Sequence, residues 1–228
     1  QQNRLFLCDG DAMIISQKRL PDIFRQINTK LPWVKRIATY ANAKSLKRKT
    51  LEELKEMKEM GLGIIYMGLE SGDDETLAHV QKKGTAQDMI EQGRKVRQAG
   101  IKLSITVLLG LAGKERSHVH AIETGRVLSA IDPEYVGALC LMLTPNTSLY
   151  QEHQAGDFDL LGSKEMMEEL GIMIANTNLS RGLFFANHAS NYLPIKARLP
   201  RDKEDVMKLI SDAVAGNVPL KPEMYRAL

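Results

Sequence analysis

Cysteine is scarce in this 228-residue sequence, and long apolar runs are missing from it. The two cysteines, Cys8 and Cys140, form neither a CxxC pair nor a metal-ligand cluster, so they predict no metal site. Both fall in apolar stretches that we expect to be buried, where cysteine acts as a small apolar residue. No apolar run approaches the roughly 18 residues of a membrane span. The first residues show no signal-peptide pattern, so we expect a cytoplasmic protein without membrane contact.

A large excess of one charge is also missing. The formal net charge is +3, which is too small to argue for a nucleic-acid partner. Residues 44–49 form a local basic cluster, with a lysine or arginine at four of the six positions. Short clusters of this kind are usually solvated, which favours a loop leading into a helix. A phosphate-binding patch is the alternative interpretation.

A repeated unit is present instead, in which an apolar strand ends in a polar or glycine-rich turn. Residues 64–69 predict a strand buried on both faces, followed by Glu70, Ser71 and Gly72. An acidic run at residues 73–75 then suits the start of a helix. The same design recurs at residues 5–11, 103–110 and 136–143.

Helical and strand patterns alternate about every 30 residues, as they do in βαβ units. This spacing predicts an α/β fold with a parallel sheet. Five clear units are too few for a closed eight-stranded barrel, so an open or partial barrel is expected. The predicted strands are 4–8, 34–41, 64–69, 101–109, 135–143 and a sixth at 183–186; the predicted helices are 21–29, 51–60, 85–99, 117–130, 163–176 and 201–215.

Three strand-end motifs occur in a fixed order: Asp9-Gly10-Asp11, Gly68-Leu69-Glu70-Ser71-Gly72 and Leu109-Gly110-Leu111-Ala112-Gly113. Together they resemble the radical S-adenosylmethionine (SAM) superfamily, in the subgroup of oxygen-independent coproporphyrinogen oxidases and tRNA methylthiotransferases. The resemblance covers residues 4–143. It implies a partial (βα)6 TIM-like barrel with parallel strands over residues 1–145. Residues 146–228 would form a C-terminal helical extension packed on the same domain.

The resemblance also implies two cofactors, SAM and a [4Fe-4S] cluster. Family members hold the cluster with a CxxxCxxC motif after their first strand, and this sequence has no such motif. We therefore expect that the first βα unit is absent here and that the cluster ligands lie upstream. Cleavage of SAM would yield a 5′-deoxyadenosyl radical that abstracts hydrogen from an unknown substrate, with flavodoxin or ferredoxin as electron donor.

The SAM site is assigned by the same resemblance. Asp9, Gly10 and Asp11 stand where the family carries a Gly-Gly-Glu-like turn that contacts the amino group of SAM, with aspartate in place of the first glycine and of the glutamate. A carboxylate at this position can still accept hydrogen bonds from an ammonium. The alternative is that the two aspartates only shape a tight turn. Glu70 and Ser71 match the residues that contact the ribose hydroxyls. Alternatively, Ser71 or Asp73 caps the following helix.

Two further positions complete the assignment of the cofactor site. Lys83 stands where relatives carry an arginine that pairs with the carboxylate of SAM, although an exposed surface lysine is an equal alternative. Gly110 belongs to a glycine-rich turn that would allow close approach of the cofactor. This sequence departs from the family at Ala112 and Lys114, where relatives have proline and glutamate.

A polar cluster outside these motifs follows the predicted sixth strand. Asn187, His188 and Asn191 could position a substrate or donate protons, or could form a hydrogen-bonded structural turn. His118 and His120 lie two apart in a predicted helix, so they point to different faces and form no metal pair.

Two classes of function stay open at this point. One is the radical SAM enzyme; the other is a non-catalytic α/β binding or scaffold domain without a cluster. In either case, loss of the first unit would leave the strand at 4–8 with an open edge. Such an edge favours pairing with another chain, so a homodimer is possible.

Overall fold

Seven strands form one sheet in the computed structural model, which describes residues 3–8 and 10–227. The spatial order of the strands follows their order in the sequence. The first six are parallel and the seventh is antiparallel to the sixth. The strands are β1 (Arg4–Leu7), β2 (Arg36–Ala41), β3 (Leu62–Glu70), β4 (Lys102–Leu109), β5 (Tyr135–Cys140), β6 (Gly182–Ala186) and β7 (Ile195–Leu199). The open, mostly parallel sheet confirms the predicted partial-barrel architecture.

Helices alternate with the strands along the chain. At Thr50 and Thr85, a threonine hydroxyl accepts a hydrogen bond from the third helical residue, whose carboxylate accepts one in return. None of the helices in the described part of the chain is long and apolar enough to cross a membrane. The helices are α1 (Leu20–Lys30), α2 (Ala43–Lys47), α3 (Leu51–Glu59), α4 (Asp74–His79), α5 (Ala86–Gln98), α6 (Gly113–Ile131), α7 (Ser148–Ala155), α8 (Ser163–Ala175) and α9 (Lys203–Val214). Helices α3, α5 and α8 begin within one residue of the predicted position, whereas α6 begins four residues earlier than predicted.

The two faces of the sheet differ in burial. In β3, Ile65, Met67 and Leu69 are fully buried and join the core formed with the helices. Tyr66 and Gly68 alternate with them and are partly exposed. The expectation that this strand is buried on both faces is therefore wrong. The helices cover one face and leave an inner face, which carries Phe6, Tyr40, Tyr66, Ser104, Tyr135 and Phe185.

β1 is an edge strand, as predicted. In the described part of the chain it pairs with β2 and with no other strand. Cys8 follows it and is exposed, so the expectation of a buried cysteine there is wrong, whereas Cys140 is buried as predicted. Among the described residues β1 has a neighbouring strand on one side only, β2, which leaves the residue after β1 open to solvent on the other side.

The C-terminal segment is more than the helical extension that the sequence predicts. It adds β6 and β7 to the same sheet, and α8 packs against both α6 and α9. The predicted sixth strand is confirmed, but β7 was not predicted. Its five residues alternate buried and exposed side chains, which is the pattern of a half-buried strand.

The basic cluster at residues 44–49 is not a solvated loop. Its first part forms the short helix α2. Lys49 is buried, and its ammonium donates a hydrogen bond of 2.6 Å to the carbonyl oxygen of Ile15. Burial lowers the pKa of Lys49. Lys49 therefore joins the segment after β1 to the start of α3, and the charges of Lys44, Lys47 and Arg48 stay at the surface.

Candidate functional site

A groove of about 390 Å³ lies at the edge of the sheet where the first strands end. We call it the strand-end groove. Because the strands are parallel, the residues that follow β1, β3 and β4 come to the same edge, as predicted for Asp11, Glu70 and Gly110. Its lining includes Gly10, Asp11, Asn42, Gly68, Glu70 and Lys82.

Glu70 is held in an unusual backbone conformation at the end of β3. Its φ angle is +64°, in the left-handed region that residues with a side chain rarely adopt. The pairing of β3 with β4 shifts by one residue at this point, as in a β-bulge. A side chain at Gly68 would collide with the Glu70 carboxylate, so the glycine makes room for it. The local structure thus directs the carboxylate of Glu70 into the groove.

Lys82, rather than Lys83, lies beside this carboxylate. Its ammonium is 3.0 Å from Oε1 of Glu70, and both side chains are mostly shielded, with 24% and 22% of their surface exposed. Lys83 is exposed and lines a separate depression with Lys44 and Lys47. The structure therefore places the neighbour of the predicted lysine at the groove. The sequence Lys82-Lys83 contains no signal that separates the two.

Asp11 and Gly10 line the groove, whereas Asp9 lies outside the described residues. The carboxylate of Asp11 accepts hydrogen bonds of 3.0 Å from the backbone N–H groups of Met13 and Asn42. Gly10 has a φ angle of +81°, which suits a glycine in a tight turn. Asp11 therefore shapes the turn and joins the ends of β1 and β2. This arrangement supports the turn-shaping interpretation and also keeps Asp11 at the groove wall.

Ser71 points away from the groove. It is fully buried, and its hydroxyl lies 2.7 Å from Nδ1 of His120 and accepts a hydrogen bond from the backbone N–H of Asp73. The expected contact of Ser71 with a cofactor is thus not compatible with this arrangement, because its hydroxyl is already engaged beneath the sheet edge. His120 lies on α6, and nothing in the sequence predicts that it would contact Ser71.

Asp73 caps α4, as the alternative interpretation predicts. Its carboxylate accepts a hydrogen bond from the backbone N–H of Thr76 and two from the guanidinium of Arg116, at 3.0 and 2.9 Å. Burial would raise the pKa of Asp73, but the hydrogen bonds from Arg116 and Thr76 outweigh it and lower that pKa. This cap anchors the segment that follows Glu70 onto α6.

Gly110 lies above a buried polar cluster that the sequence did not reveal. Its backbone N–H donates a 2.6 Å hydrogen bond to the carboxylate of Glu169 on α8, which also accepts one from Ser117 on α6. Nε2 of His120 lies 3.6 Å from the same carboxylate. A side chain at Gly110 would meet Met166 at 2.8 Å, and the φ angle is +80°, so only glycine fits here. The N–H of Gly110 therefore faces the protein interior.

Burial dominates the protonation of this cluster. It raises the pKa of Glu169 to about 7, against the lowering effect of the hydrogen bonds from Ser117 and Gly110. It lowers the pKa of His120 to about 4. Both side chains are fully shielded from solvent, so near neutral pH the histidine is uncharged and the glutamate is close to its midpoint.

The polar cluster after β6 separates into a structural part and an exposed part. Asn191 is buried, and its amide accepts a hydrogen bond from the N–H of Cys140 and donates one to the carbonyl of Ala138, both at 2.8 Å. It therefore ties the turn to β5. Asn187 and His188 are exposed, and His188 bonds to Ser190 within the turn. For Asn191, the structural interpretation holds.

These residues do not fit an iron–sulfur cluster. The whole sequence has two cysteines, and no group of three histidine, cysteine or carboxylate side chains in the described ranges could hold a metal ion. Burial raises the pKa of Cys140 to about 11, which keeps it a thiol. The strand-end groove, by contrast, offers a carboxylate, an ammonium and glycine backbone to a small polar ligand.

Comparison with known proteins identifies relatives of the chain. The family model described as the radical SAM superfamily matches residues 9–123. The heme chaperone HemW of Bacillus subtilis is 22% identical over 173 residues, covering 75% of this chain. Elp3 of Methanocaldococcus infernus has a TM-score of 0.60 at 13% identity over 94% of this chain. Coproporphyrinogen III oxidase (HemN) of Escherichia coli, a radical SAM enzyme, has a TM-score of 0.60 at 14% identity over 76%.

The chain spans about half the length of the curated relatives that it matches. The aligned part is 45% and 48% of two such relatives. It corresponds to 54% of the Elp3 chain and 39% of the HemN chain. The matched family segment includes the ends of β3 and β4, and so contains Glu70, Lys82 and Gly110.

Proposed function

Because this chain belongs to the radical SAM superfamily, with the match extending over residues 9–123, we propose that its strand-end groove binds S-adenosylmethionine. The observation that carries the proposal is Glu70, whose carboxylate is turned into the groove by a strained backbone within the matched segment. Residues kept in costly conformations cluster at functional sites. Together with a [4Fe-4S] cluster, SAM would supply the radical for hydrogen abstraction from a substrate.

The chain's own residues would bind and orient SAM. The carboxylate of Glu70 can accept hydrogen bonds from the ribose hydroxyls. Lys82, 3.0 Å from that carboxylate, supplies a cation that the carboxylate of SAM could share. Gly10 and Asp11 line the same groove, and the free lone pairs of Asp11 can accept hydrogen bonds from the amino group. Lys82 thus takes the role that the sequence assigned to Lys83.

The proposed reaction also requires a cluster and an electron donor, which these residues do not supply. Two cysteines cannot supply the three thiolates that the family uses, so the ligands would come from outside these 228 residues. A flavodoxin or ferredoxin would deliver the electron, as the family resemblance implies. The shortage of cysteines also supports the alternative, a binding or scaffold domain that uses no cluster.

Binding of SAM to the 228-residue chain, measured by calorimetry, tests the proposal. Glu70→Gln keeps the size of the side chain and removes its charge. We expect its affinity for SAM to fall about tenfold or more, as for the loss of a charged hydrogen-bond partner. Glu52→Gln, at an exposed position of α3, is the matched control and should bind like the parent.

Two outcomes would count against the SAM site. A folded parent chain that binds no SAM would favour the scaffold alternative. Equal affinity of the parent and of Glu70→Gln would remove Glu70 from the site.

A further inference from the structure

A second groove, of about 400 Å³, lies on the inner face closer to the beginnings of the strands. We call it the lower groove. It shares Tyr66 with the strand-end groove. The ring of Tyr66 contacts those of Phe6 and Tyr40, with centroids 5.6 and 6.0 Å apart, so an aromatic cluster stands between the two grooves. The polar and aromatic residues that line the lower groove are Arg4, Arg36, Tyr66, Ser104, Tyr135 and Phe185.

Two arginines stand side by side in this groove. Arg4 of β1 and Arg36 of β2 are directly paired in the register of the two strands. Both line the groove, so their charges share one face. Like charges in directly opposed positions destabilise a sheet unless something compensates them.

No carboxylate in the described ranges compensates this pair. Neither arginine forms an ion pair with a described residue. Six other arginines form an ion pair with a carboxylate, namely Arg25, Arg97, Arg116, Arg126, Arg201 and Arg226. Among the described residues, Arg19, Arg48, Arg94, Arg181 and Arg198 form none. Arg4 and Arg36 differ from the other arginines without an ion pair in that they stand side by side and line one groove.

Arg36 is built into the sheet. The pairing of β2 with β3 skips Gly63, and a Cβ atom at that position would lie 2.9 Å from Cδ of Arg36. The glycine therefore leaves space for the arginine side chain to lie across β3. Nε of Arg36 is shielded from solvent and has no hydrogen-bond acceptor among the described residues. An unsatisfied buried donor costs free energy, so the described residues only partly satisfy the guanidinium group of Arg36.

We infer that the lower groove binds the carboxylate or phosphate group of a small molecule that has a flat apolar body. A guanidinium group recognises such oxyanions through two parallel hydrogen bonds, and two neighbouring guanidinium groups can hold one oxyanion between them. The hydroxyl groups of Ser104, Tyr66 and Tyr135 offer further donors, and the ring of Phe185 offers an apolar wall. The identification of this ligand as the substrate rests on the proposed function, because the groove adjoins the proposed SAM site. The binding itself requires neither SAM nor a cluster.

The experiment is a titration of the full 228-residue chain, followed by NMR, with phenyl phosphate, benzoate and neutral benzamide. The two anions should bind and benzamide should not, and the preferred anion distinguishes phosphate from carboxylate. Arg4→Gln/Arg36→Gln should weaken anion binding about tenfold or more. The control Arg48→Gln/Arg181→Gln removes the same charge from two exposed positions without ion pairs and should bind like the parent. If the test double variant fails to fold, Arg36→Gln alone replaces it.

Several results would overturn the inference. These are equal binding of benzamide and the anions, no binding of any of the three, or equal losses in the test and control double variants. SAM provides a separate arm: its affinity should not change in Arg4→Gln/Arg36→Gln. A parallel loss of SAM affinity would assign the arginines to the SAM site, whereas failure of the anions alone would leave the proposed function intact.

Discussion

Glu70 combines a strained backbone with a side chain that lines the strand-end groove. A left-handed conformation costs about 1–2 kcal/mol for a residue with a Cβ atom, and glycine would avoid that cost. Its ion pair with Lys82 is partly shielded and offsets at most about 1 kcal/mol. Stability alone therefore does not explain a glutamate here.

Replacement of Glu70 separates the two contributions. Glu70→Gly removes the strain together with the ion pair, so we expect its free energy of unfolding to lie within about 1 kcal/mol of the parent. Glu70→Ala keeps the strain and should be about 1 kcal/mol less stable than Glu70→Gly. Denaturant unfolding measures both variants. Equal stability of the alanine and glycine variants would contradict the strain that the backbone angle indicates.

At this scale the sequence predicted positions better than contacts. It placed Glu70, Gly10 and Asp11 at strand ends, because polar residues after an apolar run mark where a strand stops. It assigned Lys83, whereas Lys82 lies beside Glu70, since the end of α4 decides which of the two lysines turns toward that carboxylate. The sequence also assigned Ser71 to the cofactor. It could not show that Ser71 bonds to His120, because this contact depends on the packing of α6 against the end of β3.

The elements α6 and α8 meet the end of β4 through the buried pair His120 and Glu169. Their pKa values shift in opposite directions, so their effects on stability oppose each other as the pH changes. His120→Gln leaves Glu169, whose folded-state pKa of about 7 exceeds its ordinary value of 4.5. The contribution of Glu169 to the free energy of unfolding is fully present below about pH 4.5 and is lost as the pH rises to about 7.

Glu169→Gln leaves His120, whose folded-state pKa of about 4 is below its ordinary value of 6.5. Its contribution is complete above about pH 6.5 and is lost as the pH falls to about 4. In each variant, the free energy of unfolding should change by about 3 kcal/mol across the stated pH range. Urea unfolding from pH 4 to 7.5 measures these changes, and the parent should be flatter than either variant. Slopes of the same sign in both variants would contradict the assignment.

Long elements were predicted well, whereas the short elements α2 and β7 were missed. The periodicity of α5 extends over thirteen residues and β4 over eight, so each provides several repeats of its own pattern. α2 and β7 have five residues each, which is too short for a clear period. The exposed inner face was not predicted either, because Tyr66 and Gly68 interrupt an otherwise apolar strand only weakly. Burial of Lys49 depends on its distant contact with Ile15.

For the whole molecule, the shortage of thiolates limits what this chain can do alone. We expect residues 1–228 to bind no iron at stoichiometric levels and to cleave no SAM, because a [4Fe-4S] cluster of this family requires three cysteines. Anaerobic reconstitution followed by iron analysis and product chromatography tests this expectation. One cluster per chain after reconstitution would show that the argument from the cysteines is wrong.

The edge of β1 leads to a separate prediction. Its outer backbone groups have no strand partner among the described residues, and an edge of this kind favours pairing with a second chain. We expect a concentration-dependent dimer of residues 1–228 by sedimentation. Hydrogen exchange of the β1 amides should slow as the dimer forms. A monomer at all concentrations would contradict this prediction.

The sequential order of the strands has a consequence for synthesis on the ribosome. Each strand from β2 to β7 pairs with the one that precedes it in the chain, so none must wait for a later segment before it joins the sheet. Each of the five parallel pairings closes one helix-containing crossover rather than a loop that spans most of the chain, which limits the loop-closure entropy that each strand must overcome. Each unit can therefore dock as it leaves the exit tunnel, and the growing edge of the sheet moves from β1 toward β7 at the pace of translation.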